Sequence, residues 1–256
     1  MSAFRLDAFE VTVGRFRAFV EAYPGSRPME GDGAHPKFAS SGWRSEWDKE
    51  LPDTRDALQQ ALMTLGSYAP PGDPEKVLTW SNNPNLHEDC PANNVTWYLA
   101  LAFCAWDKGR LPTEAELTYA IVGGGEQRPH PWGNELPDPT RTVIFYSNDE
   151  PITNQFLNSV GSRPAGIGRF GQLDLGGSRC EWALDAVDGT DMLDRSRMVL
   201  PCVDCVQEET SIATYRILGD KAVMPPDNSL SEIPTTAARP TYFTPAVGIR
   251  CARDLP

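Results

Sequence analysis

Two residues separate Cys202 from Cys205 in Leu200-Pro201-Cys202-Val203-Asp204-Cys205. That spacing can carry thiol–disulfide exchange or supply half of a tetrahedral zinc site. Exchange needs a strand-to-helix setting, which the flanking residues do not provide. Zinc needs two further ligands, and His35, His87 and His130 are scattered, none of them paired at metal spacing. The simpler reading is a disulfide that staples a loop, within the pair or to Cys90 or Cys180. Gly166-Ile167-Gly168-Arg169-Phe170-Gly171 satisfies G-x-G-x-x-G. It lacks the strand, helix and distant acid of a nucleotide-binding βαβ unit, so it reads as a tight loop. Glu114 and Glu116 could serve as an acid/base pair, but helix capping accounts for them more simply. Asn94-Val95-Thr96 is formally a glycosylation sequon whose threonine is better used as a helix cap. No Ser/His/Asp triad has local support.

The elements that would position these groups follow from periodicity. Phe4, Leu6 and Ala8 alternate with Arg5, Asp7 and Phe9, which predicts a strand over 4–11. Thr12 opens a helix with Val13, Phe16, Phe19 and Val20 at helical spacing. Leu58, Ala61, Leu62 and Leu65 predict an amphipathic helix across 54–66. Thr96 caps a helix that buries one face, carrying Leu99, Phe103 and Trp106 with Ala100 and Cys104. Gly109 is expected to end it with a left-handed residue. Thr113 and Glu116 then form a capping box that opens a further helix with Leu117, Ala120 and Ile121 inside.

Length and charge narrow the classes. The chain has 256 residues, enough to bury one full core or at most two. With 21 glycines and 23 prolines it reads as loop-rich, with little regular structure. A formal net charge of −12 argues against nucleic acid and against anionic membrane surfaces. No apolar run approaches the roughly 18 residues needed to span a bilayer. Met1-Ser2-Ala3-Phe4 shows no charged-then-apolar leader, which fits either the cytosol or a signal removed upstream. Six cysteines in an acidic, loop-rich chain favour an oxidising compartment, and they allow about 15 pairings. No internal repeat or linker is found. One domain over 1–256 is expected, with an insertion at about 24–92 that holds Trp43, Trp47 and Trp80.

Several short motifs occur together in a telling order. They are the 4–20 strand–helix pair, Asn93-Asn94-Val95-Thr96-Trp97-Tyr98, Gly109-Arg110-Leu111-Pro112-Thr113-Glu114-Ala115-Glu116 and Pro131-Trp132-Gly133. Val160-Gly161-Ser162-Arg163-Pro164, Glu181-Trp182, Tyr215-Arg216-Ile217-Leu218-Gly219 and Val247-Gly248-Ile249-Arg250-Cys251 follow. Their order resembles the formylglycine-generating enzyme (sulfatase-modifying factor) domain family. The resemblance implies an α+β fold of that family's C-type lectin type, loop-rich with little regular secondary structure.

The resemblance also implies chemistry, and here the residues depart from it. The family's oxidase holds copper(I) between two cysteines shortly after the strand that matches Arg216–Leu218, and soft thiolates suit that ion. This chain has no cysteine there before Cys251, and Met224 is a poor lone substitute, so copper is not expected. The His-x-x-x-His-x-Glu iron motif of the sulfoxide-synthase relatives is absent. Calcium is the cofactor the family implies, at two loop sites. One would draw on Asn148 with Asn154 or Asp149. The other would draw on Ser178 and Glu181, where Ser178 replaces an asparagine ligand and Arg179 opposes a dication; loss of this site is expected. Cys104 and Cys251 match cysteines that the family joins in a disulfide. The family's substrate groove maps to the 219–245 segment and the 161–179 loop, with Arg216, Arg239, Tyr242 and Phe243 as candidate ligand-binding residues. The resulting reading is a non-catalytic module for a protein or small-molecule ligand, in a bacterial extracellular, periplasmic or cell-surface setting. The alternatives are a copper-dependent oxidase acting on sulfatase cysteines, a hypervariable receptor of a diversity-generating system, and a structural subunit of a larger assembly.

Overall fold

The computed structural model describes residues 2–66, 77–143, 157–188, 213–218 and 235–255. Four helices and six strands lie within them: β1 (Phe4–Leu6), α1 (Val13–Glu21), α2 (Arg55–Leu62), α3 (Trp97–Trp106), α4 (Glu114–Ile121), β2 (Cys180–Asp188), β3 (Ala213–Leu218), β4 (Thr235–Ala238), β5 (Val247–Gly248) and β6 (Ala252–Asp254). Among the described residues no helix is long and apolar enough to cross a membrane.

Each helix starts where a threonine side chain accepts a backbone N–H. Thr12 accepts from Arg15, Thr54 from Ala57, Thr96 from Leu99 and Thr113 from Glu116. At α4 the capping box is complete, because the Glu116 carboxylate also accepts from the Thr113 N–H. The end of α3 differs from the expectation. Lys108, not Gly109, takes the left-handed conformation, with φ of 62°. Gly109 is needed for space: a Cβ there would lie 2.6 Å from the Ala252 carbonyl oxygen.

β2 is the spine of a sheet in the order β4-β3-β2-β5. It runs antiparallel to β3, with a register shift between Trp182 and Ala186, and parallel to β5. β1 and β6 form a separate antiparallel pair with Phe4 opposite Asp254. The first strand is thus shorter than its alternation suggested. It stops where Asp7 N–H donates to the Cys251 carbonyl, and Val11 N–H later donates to Ile249. The chain's two ends therefore lie side by side.

Helix α3 is buried on all sides rather than on one face. Trp97 through Cys104 are all buried, while Trp106 is only partly so. One side meets α1, where Phe16 and Phe19 lie 5.4 and 5.9 Å from the Phe103 ring. Another meets the sheet, where Trp97 stacks on Tyr215 at 3.8 Å. The 24–92 segment covers the rest, with Trp47 edge-on to Trp97 at 5.3 Å and Trp43 edge-on to Tyr98 at 6.3 Å. Beyond the expected helix, that segment contains short 3-10 turns at Ala39–Ser41 and Ser45–Glu50.

A disulfide links Cys104 on α3 to Cys251 beside β6, with a Cα separation of 5.5 Å and a sequence separation of 147. Both cysteines are fully buried. The double substitution Cys104→Ala/Cys251→Ala is expected to lower unfolding free energy by about 2–5 kcal/mol, the range for a long-loop bridge. Denaturant titration of the oxidised protein and the variant measures the loss, and unchanged midpoints would show that the packed core alone holds the chain ends together.

Candidate functional site

The Asn93-Asn94 pair, just before α3, ties together backbone segments far apart in sequence. Asn93 is buried, and its side-chain amide donates to the Val77 and Pro245 carbonyls at 2.8 and 3.1 Å. Its carbonyl oxygen accepts from the Thr79 N–H and hydroxyl. Asn94 adopts φ of 60° and donates to the Thr64 carbonyl at 2.8 Å. Three remote stretches of backbone are thus tied by two side chains. Because Asn94 is 3% exposed and its amide is engaged, the sequon is structural in the folded chain.

The candidate ligand residues separate into different roles. Arg216 lies in β3, in register with Ala237 of β4. Arg239 is exposed just after β4 and starts a turn in which Tyr242 N–H donates to its carbonyl at 2.8 Å. Tyr242 is half-buried and packs against the main core. The Phe243 backbone carbonyl presses on Gly66, where no Cβ would fit. Trp97 N–H, in the first turn of α3, donates to the Pro240 carbonyl at 3.1 Å. Tyr242 and Phe243 therefore help close the scaffold, whereas Arg239 is exposed.

Of the candidate calcium residues, Asn148, Asp149 and Asn154 lie outside the described residues. Ser178 and Glu181 sit in a buried cluster of acids and arginines. The Ser178 hydroxyl donates to Glu10 Oε2 at 2.7 Å. Glu181 Oε1 accepts from Arg250 Nε at 2.7 Å, both side chains being almost wholly buried. Asp174, with φ of 62°, accepts the Gly161 N–H at 2.6 Å. Burial pushes the Glu10 carboxyl up to about 8, helped by Asp174 and Glu181 and opposed by Arg179 and Arg250. Burial pulls Arg179 down to about 10, with Glu10 the main opposing charge. Burial also raises Glu181 and Asp174 above the usual carboxylate range. Calcium needs six to eight oxygens, several of them anionic. Ser178 and Glu181 are already engaged and share their cluster with two guanidinium groups, so these residues do not fit the ion. Among the described residues no group of three or more His, Cys, Asp or Glu could hold a metal.

Glu10 was not singled out from the sequence. It is one acid beside the apolar Val11 and Val13, and no motif marks it. Glu114 and Glu116, by contrast, have the structural role that capping suggests. Glu116 forms a paired bridge to Arg110, which is 1% exposed and also bonds Asp254, and Glu114 N–H donates to Asp185. The glycine-rich segment is a loop with a 3-10 turn at Pro164–Gly166, and a strand, not a helix, follows it. Cys90 is a buried thiol, and burial raises its pKa, which disfavours the reactive thiolate. Cys202 and Cys205 lie outside the described residues.

This loop-rich α+β architecture, tied by buried arginine–acid pairs, is of the formylglycine-generating-enzyme type. The chain belongs to the sulfatase-modifying factor enzyme 1-like domain family, which it matches over residues 1–255. It is 31% identical over 198 residues to the formylglycine-generating enzyme of Bos taurus, covering 72% of this chain and 49% of that protein. It is 33% identical over 111 residues to the inactive C-alpha-formylglycine-generating enzyme 2 of Mus musculus, covering 41% of this chain and 35% of that one. Its fold is similar to PvdO from Pseudomonas aeruginosa, with a TM-score of 0.61, 21% identity, and coverage of 98% of this chain and 80% of that one. The chain spans about half the length of the curated formylglycine-generating enzymes it matches.

The buried cluster gives a pH dependence with a definite sign. Glu10 keeps its proton in the folded chain over a range where an unfolded glutamate has lost it. The contribution of Glu10 to stability is therefore fullest below about pH 4.5 and is lost as pH rises towards about 8. Glu181 and Asp174, shifted in the same direction, add to the loss. Glu10→Gln is expected to flatten the upper part of this slope. Urea midpoints measured from pH 6 to 8 test it, and a variant that keeps the wild-type slope would assign the effect to another group.

Proposed function

We propose that this chain is a non-catalytic ligand- or protein-binding module on a formylglycine-generating-enzyme-type scaffold. The carrying observation is that residues 219–250 contain no cysteine. The family's oxidation needs a thiolate pair in that region to hold copper(I). The scaffold suits recognition, because buried pairs and a disulfide hold irregular loops in place, and specificity resides on loops so held. The existence of a relative described as inactive is consistent with this reading. The binding surface is taken to include the 161–179 loop and the turn carrying Arg239. A buried disulfide supports an oxidising setting such as a bacterial periplasm or cell surface.

Similarity to a formylglycine-generating enzyme favours a second reading, a copper-dependent oxidase in which Cys202 and Cys205 form a displaced thiolate pair. The two readings separate in one assay. Copper-loaded protein is incubated with oxygen and a Cys-x-Pro-x-Arg peptide, and the peptide is weighed. The module reading expects no aldehyde product. Turnover that disappears in Cys202→Ser or Cys205→Ser would establish the oxidase instead.

Calcium, on the same reading, is not held at Ser178 and Glu181. Millimolar calcium added to chelator-treated protein is expected to raise the melting temperature by less than about 2 °C, whereas tight binding to the folded state raises it with ligand concentration. A rise of about 10 °C would demand a site built from other residues.

A further inference from the structure

Two crosslinks lie side by side across the seam between α3 and β6. Cys104 is joined to Cys251. Three positions after Cys104, Asp107 accepts from Arg253 Nη2 through its carbonyl at 3.2 Å and also through its carboxylate. Positions three apart on a helix share a face, as do positions two apart in an extended chain. The ion pair is therefore the next rung after the disulfide. The two rungs differ in depth. Both cysteines are fully buried, whereas the Asp107 and Arg253 side chains are 27% and 29% exposed.

The outer rung belongs to a closed ring of charges. Arg15 on α1 donates to Asp7 at 2.9 Å and to Asp107 at 2.7 Å. Arg253 donates to Asp7 at 2.6 Å and to Asp107. Each carboxylate thus meets both guanidiniums. The ring ties the end of β1, α1, the end of α3 and β6 together, and it adjoins the bridge. Asp7 N–H donates to the Cys251 carbonyl at 3.0 Å. The Arg15 guanidinium lies 5.8 Å from the centre of the ring of Phe103, which precedes Cys104.

The strand pairing beside the ring is weak. β1 and β6 pair over three residues, and so short a ladder is marginal by itself. Arg5 stands directly opposite Arg253, a like-charge pair that opposes the ladder. Leu6 adds apolar contact with Leu117 and Ala183. β6 is held on its other side by Arg110, through backbone bonds at Ala252 and through Asp254. β1 is therefore the side that can lift. Isolated surface ion pairs contribute little, but a network of shared partners is the exception.

We propose that this ring is a latch that governs the access of thiol reductants to the Cys104–Cys251 disulfide. With the ring closed the sulfurs are sealed. Reduction proceeds through a local opening in which Asp7 leaves Arg253 and β1 lifts from β6. In the open state a thiolate of a dithiol reductant attacks one Sγ. The Sγ–Sγ bond breaks, a mixed disulfide forms, and the other cysteine leaves as a thiolate. The second thiol of the reductant then displaces the first cysteine and closes to a cyclic disulfide. Two electrons pass from reductant to bridge, and the two protons lost by the reductant's thiols return through water to the cysteines. A latch of partly exposed charges responds to salt, so ionic surroundings set how long the bridge survives thiols.

The test treats the full oxidised chain with dithiothreitol at constant pH. Samples are alkylated over time, and the Cys104 and Cys251 peptides are quantified by mass. Asp107→Asn and Asp7→Asn, both nearly isosteric, are each expected to speed reduction about tenfold, the scale for losing two shared contacts of one network. Raising sodium chloride from about 0.1 M to about 1 M shortens the screening length from about 10 Å to about 3 Å. This is expected to speed reduction of the unsubstituted chain about threefold and to have a smaller effect on Asp107→Asn. Urea below the unfolding transition is expected to speed a local route only weakly, because little surface is exposed. Arg128→Gln, which removes an ion pair to Glu126 outside the ring, is expected to leave the rate unchanged. Equal rates in the unsubstituted chain and both ring variants would overturn the latch. So would an acceleration in Arg128→Gln matching that in Asp107→Asn, or a urea slope equal to that of global unfolding.

Discussion

A core assembled from loops must hydrogen-bond its buried backbone with side chains, and Asn93 bears most on that requirement here. Its four partners come from the backbone at Val77, Thr79 and Pro245 and from the Thr79 hydroxyl. Among the described residues no strand ladder reaches these groups, and leaving them unpaired in the interior would cost about 1–3 kcal/mol each. Because Asn93 lies just ahead of α3, the same contacts fix where that helix begins. The tryptophans of the 24–92 segment then meet Trp97 and Tyr98, which completes the burial of α3. This segment is therefore part of the core rather than an ornament on it.

The chain ends are held by charge as well as by pairing. Arg110 joins Glu116 at the start of α4 to Asp254 on β6. Arg250 joins Glu181 on β2 to the carbonyls of Asp7 and Leu173. Each guanidinium links segments far apart in sequence, and its planar fork meets several acceptors at once. Such buried pairs add little net stability over apolar packing, yet losing one partner would strand a charge inside the protein. With the Cys104–Cys251 bridge alongside, they fix the mutual position of the loops between them.

The loops are where function has to be sought, because the scaffold itself does not specify a reaction. The family includes a formylglycine-generating enzyme and a protein described as inactive, both similar to this chain. Here the segment after Leu218 lacks thiols, while Arg179 and Arg250 crowd the acids near Ser178. The charges near Ser178 are thus neutralised from within.

Local chemistry was legible in the sequence, since it depends on neighbours a few residues apart. The threonine caps at Thr12, Thr96 and Thr113, the capping box at Thr113 and Glu116, and the apolar stripes of α1 and α2 need only helical geometry. The order of the short motifs carried the family, because that order survives changes in the residues between them. Other features were decided only in three dimensions. Gly109 looked like a helix terminator, but Lys108 took the left-handed turn, and the glycine is required by a carbonyl of β6 more than 140 positions away in the chain. α3 looked one-sided because the covering tryptophans belong to a segment whose path no periodicity encodes. Glu10 looked like an ordinary acid; only folding brings Ser178, Glu181 and Arg250 around it and removes the water that would have kept it ionised. Sequence spacing determines what an isolated turn or helix will do, whereas burial and the neighbours of a charge exist only once distant segments have met.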